Sequence, residues 1–152
     1  MNTPYRPSNP INPKRGAELF AAQRHDMERS LLRLKLPVVE IIPPIGLALR
    51  RGTAYRTKHR QAALYARGRT KPGPIVTWAQ PGESAHNFSM AQDYNLFENG
   101  RLVTSAEHPA WATLHQAATR HGLTTGLNWP SRHDPGHVQL PYWRQFAGRE
   151  DD

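Results

Sequence analysis

The chain has 152 residues, a net charge of +8 and no cysteine, and 38% of its residues are hydrophobic. This length fits one domain of ordinary size, and the positive charge favours polyanionic partners such as nucleic acid, anionic membranes or acidic cell-wall polymers. The absence of cysteine excludes disulfides, zinc–thiolate sites and cysteine nucleophiles. No apolar run approaches the ~20 residues that cross a bilayer, and residues 1–15 lack the apolar segment of a secretory signal. The sequence therefore predicts a cytoplasmic protein, unless another process releases it.

The N-terminal part of the chain combines a proline-rich arm with a helix. Proline recurs at every third position from Pro4 to Pro13, which predicts that residues 1–14 are a flexible arm, or alternatively a short proline-rich ligand. Residues 15–35 are predicted to form a helix that docks on the domain or lies on a membrane surface. Five apolar residues fall on one face of this helix: Leu19, Phe20, Met27, Leu31 and Leu34.

Two further elements are predicted in the first half of the chain. The β-branched, apolar run at residues 38–42 indicates a short buried strand that stops at Pro43. Residues 58–67 are predicted to form a second helix, because Thr57 is a suitable N-cap and Gly68 a suitable C-terminal stop.

A β-hairpin and a third helix follow. Residues 91–97 and 101–104 are predicted strands, and the Asn99-Gly100 pair between them is the strongest short-range signal for a hairpin turn. Residues 109–122 are predicted to be helical, because the segment opens on proline and closes on glycine. The inner stripe of this helix is formed by Trp111, Leu114 and Ala118.

The last predicted element completes the fold class. Residues 137–140 alternate in the manner of a strand, with His137 and Gln139 on one face. Helices mixed with a few antiparallel strands predict a small single α+β domain over residues 15–146, with a short antiparallel sheet and flanking helices. Residues 147–152 are predicted to be an acidic tail.

Four residues are candidates for a catalytic metal site. His86 and Asp93 are too far apart for a metal-binding pair on one helix, and their spacing favours a loop ligand followed by a strand ligand. His137 completes a set of two imidazoles and one carboxylate, which suits zinc and is also accepted by iron or manganese. Asp134 precedes it closely enough to act as a base for water at an open coordination position. The alternative is coincidence, since the chain has eight histidines and most histidines are surface or hydrogen-bonded core residues.

Three motifs resemble those of a known zinc peptidase family. Residues 84–93 read Ser-Ala-His-Asn-Phe-Ser-Met-Ala-Gln-Asp and resemble the family signature Ser-x-His-x-x-Gly-x-Ala-x-Asp. Residues 134–137, Asp-Pro-Gly-His, resemble its second signature, and residues 55–70 resemble its arginine-containing helix start. The family comprises D-alanyl-D-alanine carboxypeptidases, D-Ala-D-Ala dipeptidases and phage L-alanyl-D-glutamate endolysins. The resemblance extends over residues 52–142 and is strongest to the endolysin branch.

The resemblance implies a role for each of the candidate residues. It implies that His86, Asp93 and His137 bind zinc and that Asp134 is the general base. It also implies a Hedgehog/DD-peptidase-like fold, and that Arg56 holds a substrate carbonyl or carboxylate. A fixed cation near the scissile carbonyl stabilises the developing oxyanion, although a salt bridge that anchors the helix is the alternative role for Arg56.

Other positions are expected to shape the substrate site. Ser84 is expected to bind substrate, to orient a ligand or to form a turn, and Trp129 is expected to border the substrate. Ser89 stands where the family has glycine, so a positive φ there would strain the backbone or shift His86. The family's Trp-Gly-Gly-x-Trp run is replaced at residues 124–129 by Thr-Thr-Gly-Leu-Asn-Trp, which affects the expected specificity more than the chemistry.

The function implied by the resemblance is zinc-dependent hydrolysis of peptidoglycan stem peptides, above all at the L-alanyl-D-glutamate bond. Such an enzyme would be a monomeric, bacteriolytic, endolysin-like phage protein without a specific nucleic-acid partner. It would be drawn to the anionic cell wall by its charge after release from the cytoplasm. The alternatives are a D-Ala-D-Ala carboxypeptidase or dipeptidase, and a non-catalytic cell-wall-binding derivative.

Overall fold

The structure is a computed structural model of the chain, and it describes residues 12–148. The first helix, α1 (Pro13–Arg33), begins two residues earlier than predicted because Asn12 caps it by accepting a hydrogen bond from the Arg15 N–H at 3.0 Å. The remainder of the predicted arm lies outside the described residues, as do residues 149–152 of the predicted tail. Within the described range, no helix has the length and apolar character needed to cross a bilayer.

One face of α1 packs into the hydrophobic core. Phe20, Met27 and Leu31 are buried there, as predicted. Leu34 was predicted to share that face, but this is wrong because the helix ends at Arg33 and Leu34 is 51% exposed.

The strand predicted at residues 38–42 is wrong. Val38 makes an isolated bridge to Leu49, the rest of the run belongs to no strand, and Ile41 is 87% exposed. The two prolines that follow this run have no N–H to donate to a neighbouring strand, so the run is not continued as part of a sheet. The first strand is instead β1 (Leu47–Arg51).

The sheet is antiparallel, and its principal strands are ordered β1-β2-β5-β4. The remaining strands are β2 (Ala91–Glu98), β3 (Arg101–Leu102), β4 (Thr124–Gly126) and β5 (Asp134–Gln139). The predicted β2–β3 hairpin is confirmed, and its turn residues Asn99 and Gly100 have φ angles of 51° and 79°. The sequence did not predict β4, and β5 begins three residues earlier than expected.

Helices and one tight turn surround the sheet. The predicted helices are confirmed as α2 (Lys58–Ala66) and α3 (Ala110–Arg120), while α4 (Trp143–Phe146) was not predicted. A single turn of 3-10 helix at Ala85–Phe88 leads into β2 and was also not predicted. This arrangement confirms a small α+β domain with an antiparallel sheet.

The two faces of the sheet have different surroundings. Tyr94 and Leu96 of β2 and Val138 of β5 are buried in the core together with residues of α1 and α3. Side chains alternate between the faces of a strand. Asp93 and His137 therefore point to the opposite face, away from the helical core.

Candidate metal centre

The three predicted metal ligands converge on one point. Asp93 and His137 are directly opposite each other in the β2–β5 pairing, and His86 approaches from the 3-10 turn. Asp93 Oδ1 lies 3.1 Å from His86 Nε2 and 3.1 Å from His137 Nδ1. One potential ligand atom of each residue lies within 4.8 Å of the others, so the three side chains together form a possible metal site.

The hydrogen bonds of the two imidazoles show which nitrogen faces the site with a lone pair. His86 Nδ1–H donates to the Ala54 carbonyl oxygen at 2.7 Å, and His137 Nε2–H donates to Gln139 Oε1 at 2.8 Å. Because both partners are acceptors, the neutral rings carry lone pairs on His86 Nε2 and His137 Nδ1. When both rings are neutral, two lone pairs and a carboxylate oxygen face one another, and either a proton on an imidazole or a metal cation relieves this arrangement. The two imidazoles and the carboxylate form a ligand set that fits zinc.

Contacts among the three side chains determine the direction of the pKa shifts of Asp93 and His137. Burial alone would raise the pKa of Asp93, but the hydrogen bonds from His137 and His86 outweigh it and hold the pKa well below its usual range. Burial would lower the pKa of His137, but its hydrogen bond to Asp93 and the charge of that carboxylate raise the pKa above its usual value. In the metal-free protein, a proton shared with His137 therefore compensates the negative charge of Asp93.

Asp134 lies beside this ligand set, at the first position of β5. Burial of the carboxyl group raises the pKa of Asp134, the nearby His137 lowers it, and the negative charge of Asp93 raises it further. Asp134 is exposed at the rim, so water screens part of this effect. A carboxyl group with a raised pKa, open to solvent and next to a metal site, is suited to proton transfer.

Arg56 is held on the other side of the ligand set by a buried amide. Its Nη1 donates to Gln61 Oε1 at 3.0 Å, and its Nη2 lies 3.9 Å from Asp93 Oδ2. Gln61 is itself fully buried and donates to the carbonyl oxygen of Ala79 at 2.7 Å and to Thr77 Oγ1 at 3.3 Å. The guanidinium is thus fixed next to the metal ligands.

Residues 78–140, which contain all three ligands and Asp134, match the family model for D-alanyl-D-alanine carboxypeptidase. The chain is similar to the peptidoglycan L-alanyl-D-glutamate endopeptidase CwlK of Bacillus subtilis (strain 168), with 32% identity over 94 residues. That match covers 57% of this chain and 56% of CwlK, so the chain spans about half the length of this curated relative.

Two solved structures share the fold of the chain. The L-Ala D-Glu endopeptidase ChiX of Serratia marcescens superposes with a TM-score of 0.53 and 17% identity, over 89% of this chain and 92% of its own. The L,D-carboxypeptidase DacB from Streptococcus pneumonia gives a TM-score of 0.52 and 18% identity, over 93% and 73% of the respective chains. This likeness confirms the predicted DD-peptidase-like fold.

Ser84 and Trp129, the two other predicted site residues, lie around the same centre. Ser84 caps the 3-10 turn, and its Oγ accepts a hydrogen bond from the His86 N–H at 3.3 Å. The indole of Trp129 is 36% exposed, and its ring centroid lies 5.1 Å from that of His137. Ser84 therefore orients the backbone of the candidate ligand His86, and its role in substrate binding stays a prediction, as does that of Trp129.

All the predicted site residues of the chain line one cavity of about 980 Å³. These residues are Arg56, Ser84, His86, Asp93, Trp129, Asp134 and His137. The volume is sufficient for a short peptide segment. The sequence motifs, which are spread over more than half of the domain, therefore mark a single concave site.

The expected strain at Ser89 is present. Ser89 ends the 3-10 turn that carries His86 with φ 58° and ψ 35°, a left-handed conformation that glycine adopts more readily. We expect Ser89→Gly to raise the free energy of unfolding by about 0.5–1 kcal/mol, because glycine relieves this strain although it also gains freedom in the unfolded chain. Urea denaturation of the metal-free protein tests this, and a loss of stability would contradict it.

The pH dependence of the metal-free and zinc-loaded protein should differ. The lowered pKa of Asp93 stabilises the fold above pH ~4, and this contribution is lost as the pH falls. The raised pKa of His137 stabilises the metal-free fold below pH ~6.5, and this contribution is lost as the pH rises through the folded-state pKa. A zinc ion held by His137 would replace its proton, so zinc binding would tighten over the same interval.

We therefore expect the zinc-induced increase in Tm to grow between pH ~6 and ~8. Differential scanning calorimetry of both forms across this interval measures it. A zinc-induced shift that stays constant or shrinks with rising pH would contradict the proton–metal competition at His137.

Two buried amides lie near the centre. Gln61 belongs to the motif at residues 55–70, where a structural role is expected for it, and it holds Arg56. Gln92 was not predicted to contribute; it immediately precedes Asp93, and its side chain lies on the core-facing side of β2. Periodicity does not distinguish a buried glutamine from a surface one. The signal that identifies them is near-complete burial combined with full hydrogen bonding, which only the folded chain reveals.

Proposed function

We propose that the chain is a zinc-dependent peptidase that hydrolyses peptidoglycan stem peptides at the L-alanyl-D-glutamate bond. The observation that carries this proposal is the convergence of His86 Nε2 and His137 Nδ1 on the Asp93 carboxylate, with Asp134 in the same cavity. Three protein ligands and a free carboxylate beside them are the components of a hydrolytic zinc site.

Several residues of the chain would each have a role in hydrolysis. Zinc held by His86, Asp93 and His137 would supply Lewis acidity for the attacking water and the scissile carbonyl. Asp134 takes a proton from the water as its oxygen bonds to the carbonyl carbon. Asp134 then gives that proton to the amine nitrogen as the C–N bond breaks, which regenerates the carboxylate. Arg56 stabilises the negative charge that develops on the carbonyl oxygen.

The proposed bond has support from a relative and from the cavity. CwlK, the curated relative, is named for the L-alanyl-D-glutamate bond. Arg132 lines the same cavity and is held in place by donating to the Ile75 carbonyl oxygen at 2.9 Å. Together with Arg56 it provides positive charge for an acidic residue of the substrate. The family description favours a second candidate, D-alanyl-D-alanine carboxypeptidase activity, in which a terminal carboxylate takes that place.

Hydrolysis of purified peptidoglycan by the zinc-loaded protein tests the proposal. Mass spectrometry should reveal new N-terminal D-glutamyl amines. Released D-alanine would identify the second candidate instead. Stoichiometric zinc without cleavage of several wall types would indicate a non-catalytic wall-binding derivative, and absence of zinc from the purified wild type after loading would overturn the proposed centre.

The positive charge of the chain suits the anionic cell wall that contains the proposed substrate. We propose that residues 15–146 form the catalytic domain and that the enzyme works as a bacteriolytic, endolysin-like monomer at the cell wall. The net charge of +8 attracts it to the anionic wall polymers, and salt weakens this attraction. Association with isolated walls should therefore fall as ionic strength rises.

Arg56 offers a direct test of oxyanion stabilisation. We expect Arg56→Met to lower kcat/KM by about 10²- to 10³-fold, because the fixed cation beside the ligands is lost. Steady-state kinetics on a synthetic stem peptide measures the loss, with zinc content determined in parallel. Arg56→Lys is the matched variant that keeps the charge, and it should recover part of the activity. An activity loss that merely follows a lower Tm would assign Arg56 to anchoring the helix.

A further inference from the structure

Gln92 connects the two faces of β2. The residue is 1% exposed, and it immediately precedes the ligand Asp93, so its side chain lies on the opposite face of the strand. Its Nε2 lies 3.1 Å from the carbonyl oxygen of Gly52, 3.2 Å from that of Thr53 and 3.0 Å from that of Asp93. An amide NH₂ group has two hydrogens, so these three carbonyls are gathered around one donor group.

Two of the carbonyls that Gln92 binds, those of Gly52 and Thr53, belong to the segment that orients His86. Thr53 is followed by Ala54, whose carbonyl oxygen accepts the hydrogen bond from His86 Nδ1 at 2.7 Å. The same segment is joined to the backbone of the Asp93 ligand, because Asp93 N donates to Thr53 O at 2.7 Å and Gly52 N donates to Asp93 O at 2.8 Å. Residues 52–54 are exposed, so these hydrogen bonds rather than burial determine where the Ala54 carbonyl lies.

Arg24 of α1 determines which way the Gln92 amide points. Arg24 Nη1 donates to Gln92 Oε1 at 3.2 Å. A guanidinium has no acceptor, so the oxygen of the amide must face α1 and its NH₂ group must face the carbonyls of residues 52 and 53. The helix thereby acts on the metal centre through a chain of three contacts, from Arg24 to Gln92, to the 52–54 segment and to His86.

We propose that Gln92, oriented by Arg24, is a positioning residue for zinc binding, and that α1 is part of the support of the metal centre. This inference rests on the proposed zinc site. Hydrogen bonds that hold the acceptor of a ligating histidine fix the ring and raise its basicity, and their loss typically weakens metal binding by about 10- to 100-fold. A buried amide with a purely structural role would affect the stability of the fold and leave the zinc affinity of the folded protein unchanged.

The test compares Gln92→Leu with Tyr94→Phe. Tyr94 is on the same strand and also faces α1, where its hydroxyl donates to Glu28 Oε2 at 2.8 Å, but it binds no carbonyl of the 52–54 segment in the described structure. Both variants lose a buried hydrogen bond to the α1 side, so the Tm of the metal-free protein should fall in both. Zinc dissociation constants are measured by chelator competition at a temperature at which every variant is folded.

We expect Gln92→Leu to bind zinc about 10- to 100-fold more weakly than wild type, and Tyr94→Phe to bind it as wild type does. In the zinc-loaded protein, the NMR resonance of the His86 Nδ1 proton should shift in Gln92→Leu and stay in place in Tyr94→Phe. Arg24→Met tests the same chain of contacts without changing a residue of β2, and it should also weaken zinc binding.

The outcomes separate this inference from the proposed function. Tight zinc binding by wild type, Gln92→Leu and Arg24→Met alike would overturn the positioning role alone. Absence of zinc binding by wild type would overturn the proposed function together with this inference. If Gln92→Leu does not fold, unchanged zinc affinity in Arg24→Met overturns the inference, and weaker binding supports it.

Discussion

Asp134→Asn is expected to lower kcat by about 10²- to 10⁴-fold while the protein still binds one zinc ion, because asparagine keeps the size and the polarity of aspartate but cannot take up a proton. The carboxylate of Asp134 is separate from the convergent ligand set of His86, Asp93 and His137, so its replacement leaves those ligands in place. Loss of turnover without loss of metal is therefore the signature of a general base.

Kinetics on a synthetic stem peptide, together with measurement of zinc content, tests the role of Asp134. Glu83→Gln is the matched control, because it removes one carboxylate charge from the wall of the same cavity. We expect the control to retain most of the turnover rate. Similar losses in both variants would indicate a general charge effect, and full activity in Asp134→Asn would refute the assignment of the base.

Asp93→Asn is expected to weaken zinc binding by well over ~100-fold, beyond the range of losses caused by outer-shell partners. The carboxylate is the group on which His86 Nε2 and His137 Nδ1 converge. An amide oxygen carries no net charge, so it cannot replace the anionic ligand of the set. Peptidase activity should fall with the metal.

Chelator competition and turnover measurements test the role of Asp93. The control is Asp26→Asn, the same change at an exposed position of α1, which should bind zinc as wild type does. The metal-free Asp93→Asn protein should also lose more stability at pH ~5 than at pH ~8, because the partner of protonated His137 is missing. Stoichiometric, tight zinc binding by Asp93→Asn would exclude this carboxylate as a ligand.

The elements that were predicted correctly are those with strong local signals. The Asn99-Gly100 turn, the Thr57 cap of α2 and the apolar stripe of α1 each reflect interactions within a few residues. The wrong strand at residues 38–42 has the composition of a strand but no continuous partner, since pairing depends on distant chain segments. The three-residue strand β4 is too short to show a period and exists because β5 pairs with it.

The candidate site divides in the same way. The motifs around His86 and Asp134 predict which side chains take part in the site. The antiparallel register that sets Asp93 opposite His137 brings those side chains together. The supporting amide of Gln92 has its partner Arg24 68 residues away. No local pattern couples two such positions, so the supports of the site became visible only in the folded chain.

The hydrogen-bonded triad of candidate ligands has a consequence for how a metal ion would be acquired. The imidazoles of His86 and His137 are already aimed at Asp93 by bonds to Ala54 and Gln139 before any ion arrives. The loss of conformational entropy that orders these side chains therefore occurs during folding. Capture of an ion would then require only the exchange of a proton. Such a preorganised centre should load and release its metal reversibly, at a rate limited by diffusion and deprotonation rather than by rearrangement of the chain.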